Sequence, residues 1–232
     1  MKNAMEILAA GHKKKTTTTH SDTLVHIGSF GFAHGIVDDS ISPQFARTMI
    51  SKGTFYIPTF CVFEFLANTP RFIQHALSDF RLRPSLPESL SFRYVSPQYY
   101  DHYRNLFPNS AFVDSHLAML RRNVAFLVAN KVPIVLGTDM WAFPGYGVHL
   151  ELEYMVKAGM TPMQAILSAT KMGARFLGRD STIGTIEPGK QADLAILVSD
   201  PLQDILSSRS VWKILKQGTM YDHEELIEES KK

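Results

Sequence analysis

Cysteine is nearly absent from this chain, since Cys61 is the only one among 232 residues. A single cysteine excludes an internal disulfide framework and indicates a reducing compartment. A strong excess of one charge is also lacking, because 24 basic and 22 acidic side chains leave a formal net charge of +2. That balance gives no electrostatic case for binding nucleic acid or an anionic membrane surface.

Long hydrophobic runs are missing as well. No stretch approaches the ~20 apolar residues that a membrane-spanning helix needs. Within residues 1–15 the longest apolar run is 7–10, which is too short for a secretory signal. We therefore expect a cytoplasmic protein that does not contact membranes. The remaining composition, 45% hydrophobic and 20% charged residues, is that of an ordinary globular domain.

Most of the chain alternates between two kinds of pattern. Short runs rich in β-branched and aromatic residues predict strands at 16–19, 30–34, 54–60 and 132–136. Amphipathic stretches predict helices at 1–12, 43–52, 111–130, 149–158 and 162–177. Ser42 and Thr161 are expected to cap two of these helices, each followed directly by a proline. Such alternation is typical of parallel βα units, so we predict an α/β fold.

The pattern changes near the end of the chain. Residues 185–187, a Pro188–Gly189 turn and residues 192–198 predict a hairpin, and residues 211–215 predict a further strand. We therefore expect three parts. An α/β body covers 1–182, a β-strand tail covers 183–222, and a charged, frayed end covers 223–232.

One segment interrupts the body. Residues 61–113 are far longer than an ordinary connection between a strand and a helix, and they hold 11 of the 25 aromatic residues. An insertion after the C-terminal end of a strand is where α/β barrels carry covers over their active sites. A helical subdomain with its own small core is the alternative, and the two interpretations are compatible.

Three predicted strand ends carry residues that bind metals. His20, His34 and Asp139 each follow a β-rich run, and ligands bind at the C-terminal ends of strands in parallel α/β folds. Two imidazoles and a carboxylate form a zinc-type donor set. One such histidine alone is more often a packed residue, whereas three strand-end residues together favour a metal site. His26 competes with His20 but lies too close to the next strand to leave room for a parallel crossover.

Several stretches resemble the metal-dependent amidohydrolase superfamily, in the branch that contains imidazolonepropionase and prolidase-like hydrolases. The most specific stretch is 184–202, GTIEPGKQADLAILVSDPL, which is similar to the closing strands of that family. Residues 32–60 resemble its strands 6 and 7, and VPIVLGTDM at 132–140 resembles its strand 8. Further resemblances are found at 149–178 and 211–222 and, more weakly, in HKKKTTTTH at 12–20, which looks like the approach to strand 5.

The resemblance implies a partial TIM-type (β/α) barrel, equivalent to strands 5 to 8, with the remnant of a side β-sandwich domain. It implies His20 and His34 as metal ligands. It implies Asp139 as the aspartate that binds the metal and accepts a proton from the attacking water. The implied cofactor is one or two divalent ions, with zinc the expected metal. A bound divalent ion lowers the pKa of water from 15.7 towards ~7 and polarises the scissile carbonyl. His149 is a candidate substrate contact, with a solvent-facing residue at a helix start as the equal alternative.

Two features of the family are missing from this sequence. No two of the nine histidines are two positions apart, so the His-x-His pair of strand 1 has no counterpart, and neither has the lysine of strand 4. A TIM barrel typically needs ~250 residues, so this chain is too short to close one, and a half-barrel exposes two strand edges. We expect an oligomer, or a chain whose N-terminal half is missing or supplied by a partner, or a degenerate relative without catalysis.

The sequence therefore predicts a metal-dependent hydrolase. It would cleave the carbon–nitrogen bond of a small-molecule amide, cyclic amide or dipeptide with a metal-activated water, and the aromatic insertion weakly favours a substrate with an apolar part. The alternative is a catalytically incomplete fragment or a non-enzymatic interaction protein that lacks the His-x-His metal site. Nucleic acid is disfavoured as a partner by the near-neutral charge and by the carboxylate among the strand-end residues.

Overall fold

A computed structural model describes residues 25, 28–67, 72, 110–140, 144–222 and 225–226. The predictions for residues 1–20, for His26, for most of the 61–113 insertion and for most of the charged end fall outside these described residues. The elements in chain order are β1 (Gly31–Ala33), α1 (Pro43–Lys52), β2 (Phe55–Ile57), α2 (Phe60–Ala67), α3 (Ser110–Ala129), α4 (Pro144–Lys157), α5 (Pro162–Ala169), α6 (Lys171–Phe176), β3 (Leu194–Leu197), a 3-10 helix (Ile205–Arg209), β4 (Val211–Lys216) and β5 (Thr219–Asp222).

A small parallel array forms the centre of the body. Strands β1 and β2 pair in parallel, with Phe32 opposite Tyr56. Tyr56 also forms a parallel bridge to Ile134, in which its N–H donates to Pro133 O and its carbonyl accepts from Val135 N, both at 2.9 Å. Of the strand predicted at 132–136, the structure forms only this one bridge. Pro133 has no backbone N–H, so it cannot donate a hydrogen bond to a further neighbouring strand.

Helix α1 connects β1 to β2 and has the predicted bounds and caps. Ser42 Oγ accepts from Phe45 N at 3.0 Å, and Gly53 ends the helix with a φ of 65°, the left-handed conformation that glycine adopts without strain. Helix α3 buries Leu117, Leu120, Val124 and Leu127 in the core, and Val128 packs against it partly buried. Side chains of both helices therefore share one core with Phe32 of β1 and Tyr56 of β2.

The helix predicted at 149–158 begins earlier, as α4 covers Pro144–Lys157, and three further secondary-structure predictions are wrong. The predicted helix 162–177 is interrupted at Thr170, whose φ of −113° and ψ of −86° separate α5 from α6. Residues 185–187 form no strand. The expected turn does form, with Lys190 N donating to Glu187 O at 3.2 Å, but it does not pair residues 185–187 with residues 192–198. The tail strand β3 pairs antiparallel with β4 instead. The strand predicted over 54–60 ends at Ile57, and helix α2 begins at Phe60.

The described residues form a mixed α/β fold without a closed barrel. Their largest fully buried side chains are Tyr56, Phe45, Phe60, Met49, Leu120, Leu127, Leu150 and Met155. These residues come from β2 and from helices α1 to α4, so one core lies between the parallel array and its helices. None of the described helices is long and apolar enough to cross a membrane.

Candidate functional site

Two of the three predicted metal ligands meet at the edge where the parallel strands end. His34 follows β1 and Asp139 follows the bridge at Ile134, and His34 Nε2 lies 3.7 Å from Asp139 Oδ2. Their side chains are 28% and 47% exposed, so solvent reaches this pair. The third predicted ligand, His20, lies outside the described residues. The arrangement follows from parallel pairing, which puts the carboxyl ends of neighbouring strands at one edge.

A third strand end contributes Thr59, which follows β2. Its Oγ1 lies 3.0 Å from His34 Nδ1, and the residue is buried. Thr59 thus contacts Nδ1 of the His34 ring, whereas Nε2 of the same ring faces Asp139. Outer partners of this kind fix the tautomer and the orientation of a histidine ligand.

The backbone at these three strand ends has an uncommon conformation. Positive φ angles occur at His34 (69°), Thr59 (52°) and Asp139 (49°). The only other non-glycine residues of the described chain with positive φ are Lys131, just after α3, and Gln217, in the tight turn between β4 and β5. Such angles are outliers for a β-branched residue such as Thr59 and cluster at functional sites.

The loop that follows His34 is held by buried polar groups. Ile36 N donates to Tyr56 Oη at 2.9 Å, and burial raises the pKa of Tyr56, so this phenol stays neutral. Asn123 on α3 accepts from Ile41 N at 2.9 Å and donates to Ile36 O and Asp39 O, both at 2.8 Å. These bonds leave the chain after His34 little freedom to move.

The chain after Thr59 is held by Glu151 of α4. This buried carboxylate accepts from Phe60 N at 2.9 Å and from Cys61 N at 2.8 Å, the first two residues of α2. Burial raises the pKa of Glu151 to about 7, against the lowering effect of those hydrogen bonds. Cys61 Sγ lies 3.1 Å from Gly147 O, and burial raises the pKa of the thiol well above its usual value, which disfavours a role as nucleophile.

The same helix presses against the loop that carries Asp139. A Cβ at Gly147 would lie 2.8 Å from Met140 Cβ, so this close approach requires glycine. Gly147 and Glu151 are four residues apart and therefore share one face of α4. That face contacts both the end of β2 and the chain next to Asp139.

His149 lies inside α4 rather than at a helix start, and it is half-buried. Its Nδ1 lies 3.0 Å from Ser208 Oγ in the 3-10 helix. Beside it, Glu153 accepts from Arg209 and from Lys157, both at 2.6 Å. His149 thus takes part in the attachment of the tail to α4, and its predicted substrate contact stays a prediction.

The His34–Asp139 pair suits two ligands of one cation. Zn–N and Zn–O distances of ~2.0–2.2 Å place two tetrahedral ligands about 3.4 Å apart, close to the observed 3.7 Å. An imidazole nitrogen and a carboxylate oxygen are donors that zinc accepts. Within the described ranges no group of three or more His, Cys, Asp or Glu side chains is placed to hold a metal. The described pair therefore fits part of a metal site.

Sequence reasoning missed Thr59, Asn123 and Glu151. A signal existed for Glu151, which continues the buried i, i+4, i+7 stripe of Met155 and Ala158. A carboxylate in such a stripe needs a buried partner. Asn123 carried a similar signal, because it lies three residues after Leu120 and four before Leu127, both of which are buried.

Known proteins resemble this chain over parts of their length. The imidazolonepropionase of Geobacillus thermodenitrificans (strain NG80-2) is 38% identical over 97 residues, which are 39% of this chain and 22% of that protein. A solved Xaa-Pro dipeptidase with methionine bound in its active site matches 88% of this chain and 43% of its own, with 25% identity and a TM-score of 0.63. The ochratoxinase of A. niger matches 88% of this chain and 39% of its own, with 23% identity and a TM-score of 0.57.

This chain therefore spans less than half the length of these relatives. The model of the Amidohydrolase family matches residues 3–220. That match covers nearly the whole chain, including β1, β2 and the strand ends that carry His34, Thr59 and Asp139. The chain belongs to the Amidohydrolase family.

Proposed function

We propose that this protein contributes to a metal-dependent hydrolase that cleaves a carbon–nitrogen bond in a small amide, cyclic amide or dipeptide. The observation that carries the proposal is the 3.7 Å approach of His34 Nε2 and Asp139 Oδ2 at neighbouring strand ends, in a chain of the Amidohydrolase family. The imidazolonepropionase and dipeptidase relatives support this substrate range by their names.

The two side chains would have different roles. His34 and Asp139 would hold the ion, expected to be zinc, together with His20. When bound, a divalent ion supplies an acidified water and polarises the substrate carbonyl. Asp139, the more exposed of the pair, would accept a proton from the attacking water and pass it to the leaving nitrogen. His149, whose Nδ1 contacts Ser208 Oγ, would contact substrate through the rest of its ring.

The architecture we propose is the half of a TIM-type barrel that corresponds to strands 5 to 8, with a β-strand tail over 183–222 from a side domain. The aligned parts make up 22% and 43% of two relatives. We therefore propose that further ligands come from a segment outside this sequence, which is an N-terminal half of the same polypeptide, a partner or a second copy. Light scattering tests whether a second copy supplies these ligands, since a strictly monomeric chain would contradict that source.

Metal loading and substitution test the proposed function. The purified chain should retain zinc after loading, His34→Gln should lower the retained amount, and His116→Gln on α3 should not. Less than about 0.2 ion per wild-type chain, without amide hydrolysis, would overturn the enzyme assignment for this chain. That outcome would favour the second candidate, a non-catalytic fragment or interaction protein.

Substitution of Asp139 tests the proton transfer. Asp139→Asn should abolish hydrolysis and leave folding nearly unchanged, because the residue is exposed. Asp180→Asn, an exposed aspartate in the turn after α6, is the matched control and should leave turnover unaltered. Retained turnover in the Asp139 variant would refute the role of this carboxylate.

A further inference from the structure

We propose that Thr59 is a positioning residue for His34. Its hydroxyl would accept the Nδ1–H of the imidazole and so direct the Nε2 lone pair towards Asp139, where a divalent cation can use it. The inference rests on the proposed metal site, but the state of the imidazole can be measured without any metal.

The first argument is the pair of distances around the ring. Nδ1 lies 3.0 Å from Thr59 Oγ1, within the range of a hydrogen bond. Nε2 lies 3.7 Å from Asp139 Oδ2, which is too long for one. An Nε2–H aimed at a carboxylate would be expected to close to about 2.7–2.9 Å. The longer separation therefore favours an Nε2 lone pair on this side and the proton on Nδ1.

The second argument is the backbone of Thr59. A φ of 52° is unusual for a β-branched residue, and such strain persists only where the surrounding structure maintains it. Here the residue itself is buried. The next two backbone N–H groups, of Phe60 and Cys61, both bind Glu151. Glu151 thus holds Thr59 in the conformation from which its hydroxyl reaches His34.

The experiment measures the tautomer of His34 by long-range ¹H–¹⁵N correlation NMR on the metal-free chain. Spectra are recorded near pH 8, and the two ring ¹⁵N shifts themselves distinguish a neutral ring from a charged one. His34→Gln assigns the signals. The wild type should show a protonated Nδ1 and an unprotonated Nε2, and the opposite tautomer would overturn the proposal.

Two substitutions separate the hydroxyl from the shape of the side chain. Thr59→Val keeps the β-branch but has no hydrogen-bond acceptor. The ring proton should then move from Nδ1 to Nε2, which can donate a hydrogen bond to Asp139. Thr59→Ser keeps the acceptor and should retain the wild-type tautomer. Thr48→Val, at another buried threonine whose hydroxyl donates to Gln44 O, should not alter the His34 signals. A folded valine variant with the wild-type tautomer would overturn the proposal, and Thr59→Ala replaces it if valine prevents folding.

A second readout is zinc affinity, measured by competition with a chelator. Loss of an outer partner of a histidine ligand typically costs ~10–100-fold in metal affinity. Thr59→Val should show a loss of that size, and Thr59→Ser should remain near the wild type. Wild-type chain that binds no zinc would contradict the proposed function, whereas the tautomer would still decide the role of Thr59. Equal affinity in the wild type and the valine variant would overturn the positioning role.

Discussion

Glu151→Gln should remove a pH dependence from the stability of this protein. The carboxyl of Glu151 is completely buried, and burial raises its pKa from 4.5 to about 7 even though the N–H groups of Cys61 and Phe60 favour the charged form. Between these two values the folded state holds a proton that the unfolded state releases.

The sign and the size follow from proton linkage. Where the folded chain binds more protons than the unfolded chain, the free energy of unfolding falls as the pH rises. The stabilising contribution of the protonated Glu151 is complete below pH 4.5 and is lost as the pH rises through about 7. The difference between these two pKa values, at 1.36 kcal/mol for each unit, corresponds to about 3 kcal/mol in the free energy of unfolding.

Urea unfolding between about pH 5 and pH 8 measures this contribution. The free energy of unfolding of the wild type, relative to that of Glu151→Gln, should fall by about 2–3 kcal/mol across the range. Glu153→Gln is the control on the same helix. Burial alone would raise the pKa of Glu153, but the hydrogen bonds and charges of Lys157 and Arg209 outweigh it and lower the pKa. Glu153→Gln should therefore remove a contribution to the free energy of unfolding that is lost as the pH falls, whereas the contribution of Glu151 is lost as the pH rises. Parallel pH curves for the wild type and Glu151→Gln would refute the reasoning.

Two further substitutions test how the strand ends are held, each by urea unfolding. Asn123→Ala should destabilise by about 2–4 kcal/mol, because it leaves two buried backbone groups, Ile41 N and Ile36 O, and the part-buried Asp39 O without their partner. Asn130→Ala, an exposed control directly after α3, should stay within about 0.5 kcal/mol. Gly147→Ala should cost about 1–3 kcal/mol through the clash with Met140. Gly145→Ala, where nothing lies within 4 Å of the added Cβ, should be neutral or stabilising by up to about 1 kcal/mol. Equal stabilities within either pair would contradict the packing argument.

Local signals predicted much of the fold because they act within a few residues. Helix α1 begins directly after Ser42 and ends directly before Gly53, as the capping preferences of these residues predict. Thr161 likewise forms a capping box with Gln164 at the start of α5. The hairpin expected around Pro188–Gly189 failed because a turn motif does not specify which strands pair. The real two-residue turn of the tail is Gln217–Gly218, whose positive φ angles suit a hairpin.

The candidate site was predictable to the extent that it follows from strand ends. His34 and Asp139 were expected to approach each other because parallel strands share one edge, and they do. Thr59 also sits at a strand end, but the sequence does not single it out, because a hydroxyl on its own is a weak sign of a metal site. Glu151 acts on residues 90 and 91 positions earlier in the chain, and no local pattern can reveal a contact over that distance.

The short strands explain why helices have to maintain this site. Strands β1 and β2 have three residues each, and the third parallel element is a single bridge, so the ladder alone constrains the strand ends weakly. Asn123 on α3 holds the chain after His34, and α4 holds the chain after Thr59 and beside Asp139 through Glu151 and Gly147. The separation of the two proposed ligands is therefore set by helix packing on the array. On this reasoning, substitutions at Asn123, Gly147 or Glu151 should lower metal affinity without touching a ligand, whereas changes in the β3–β5 tail should not.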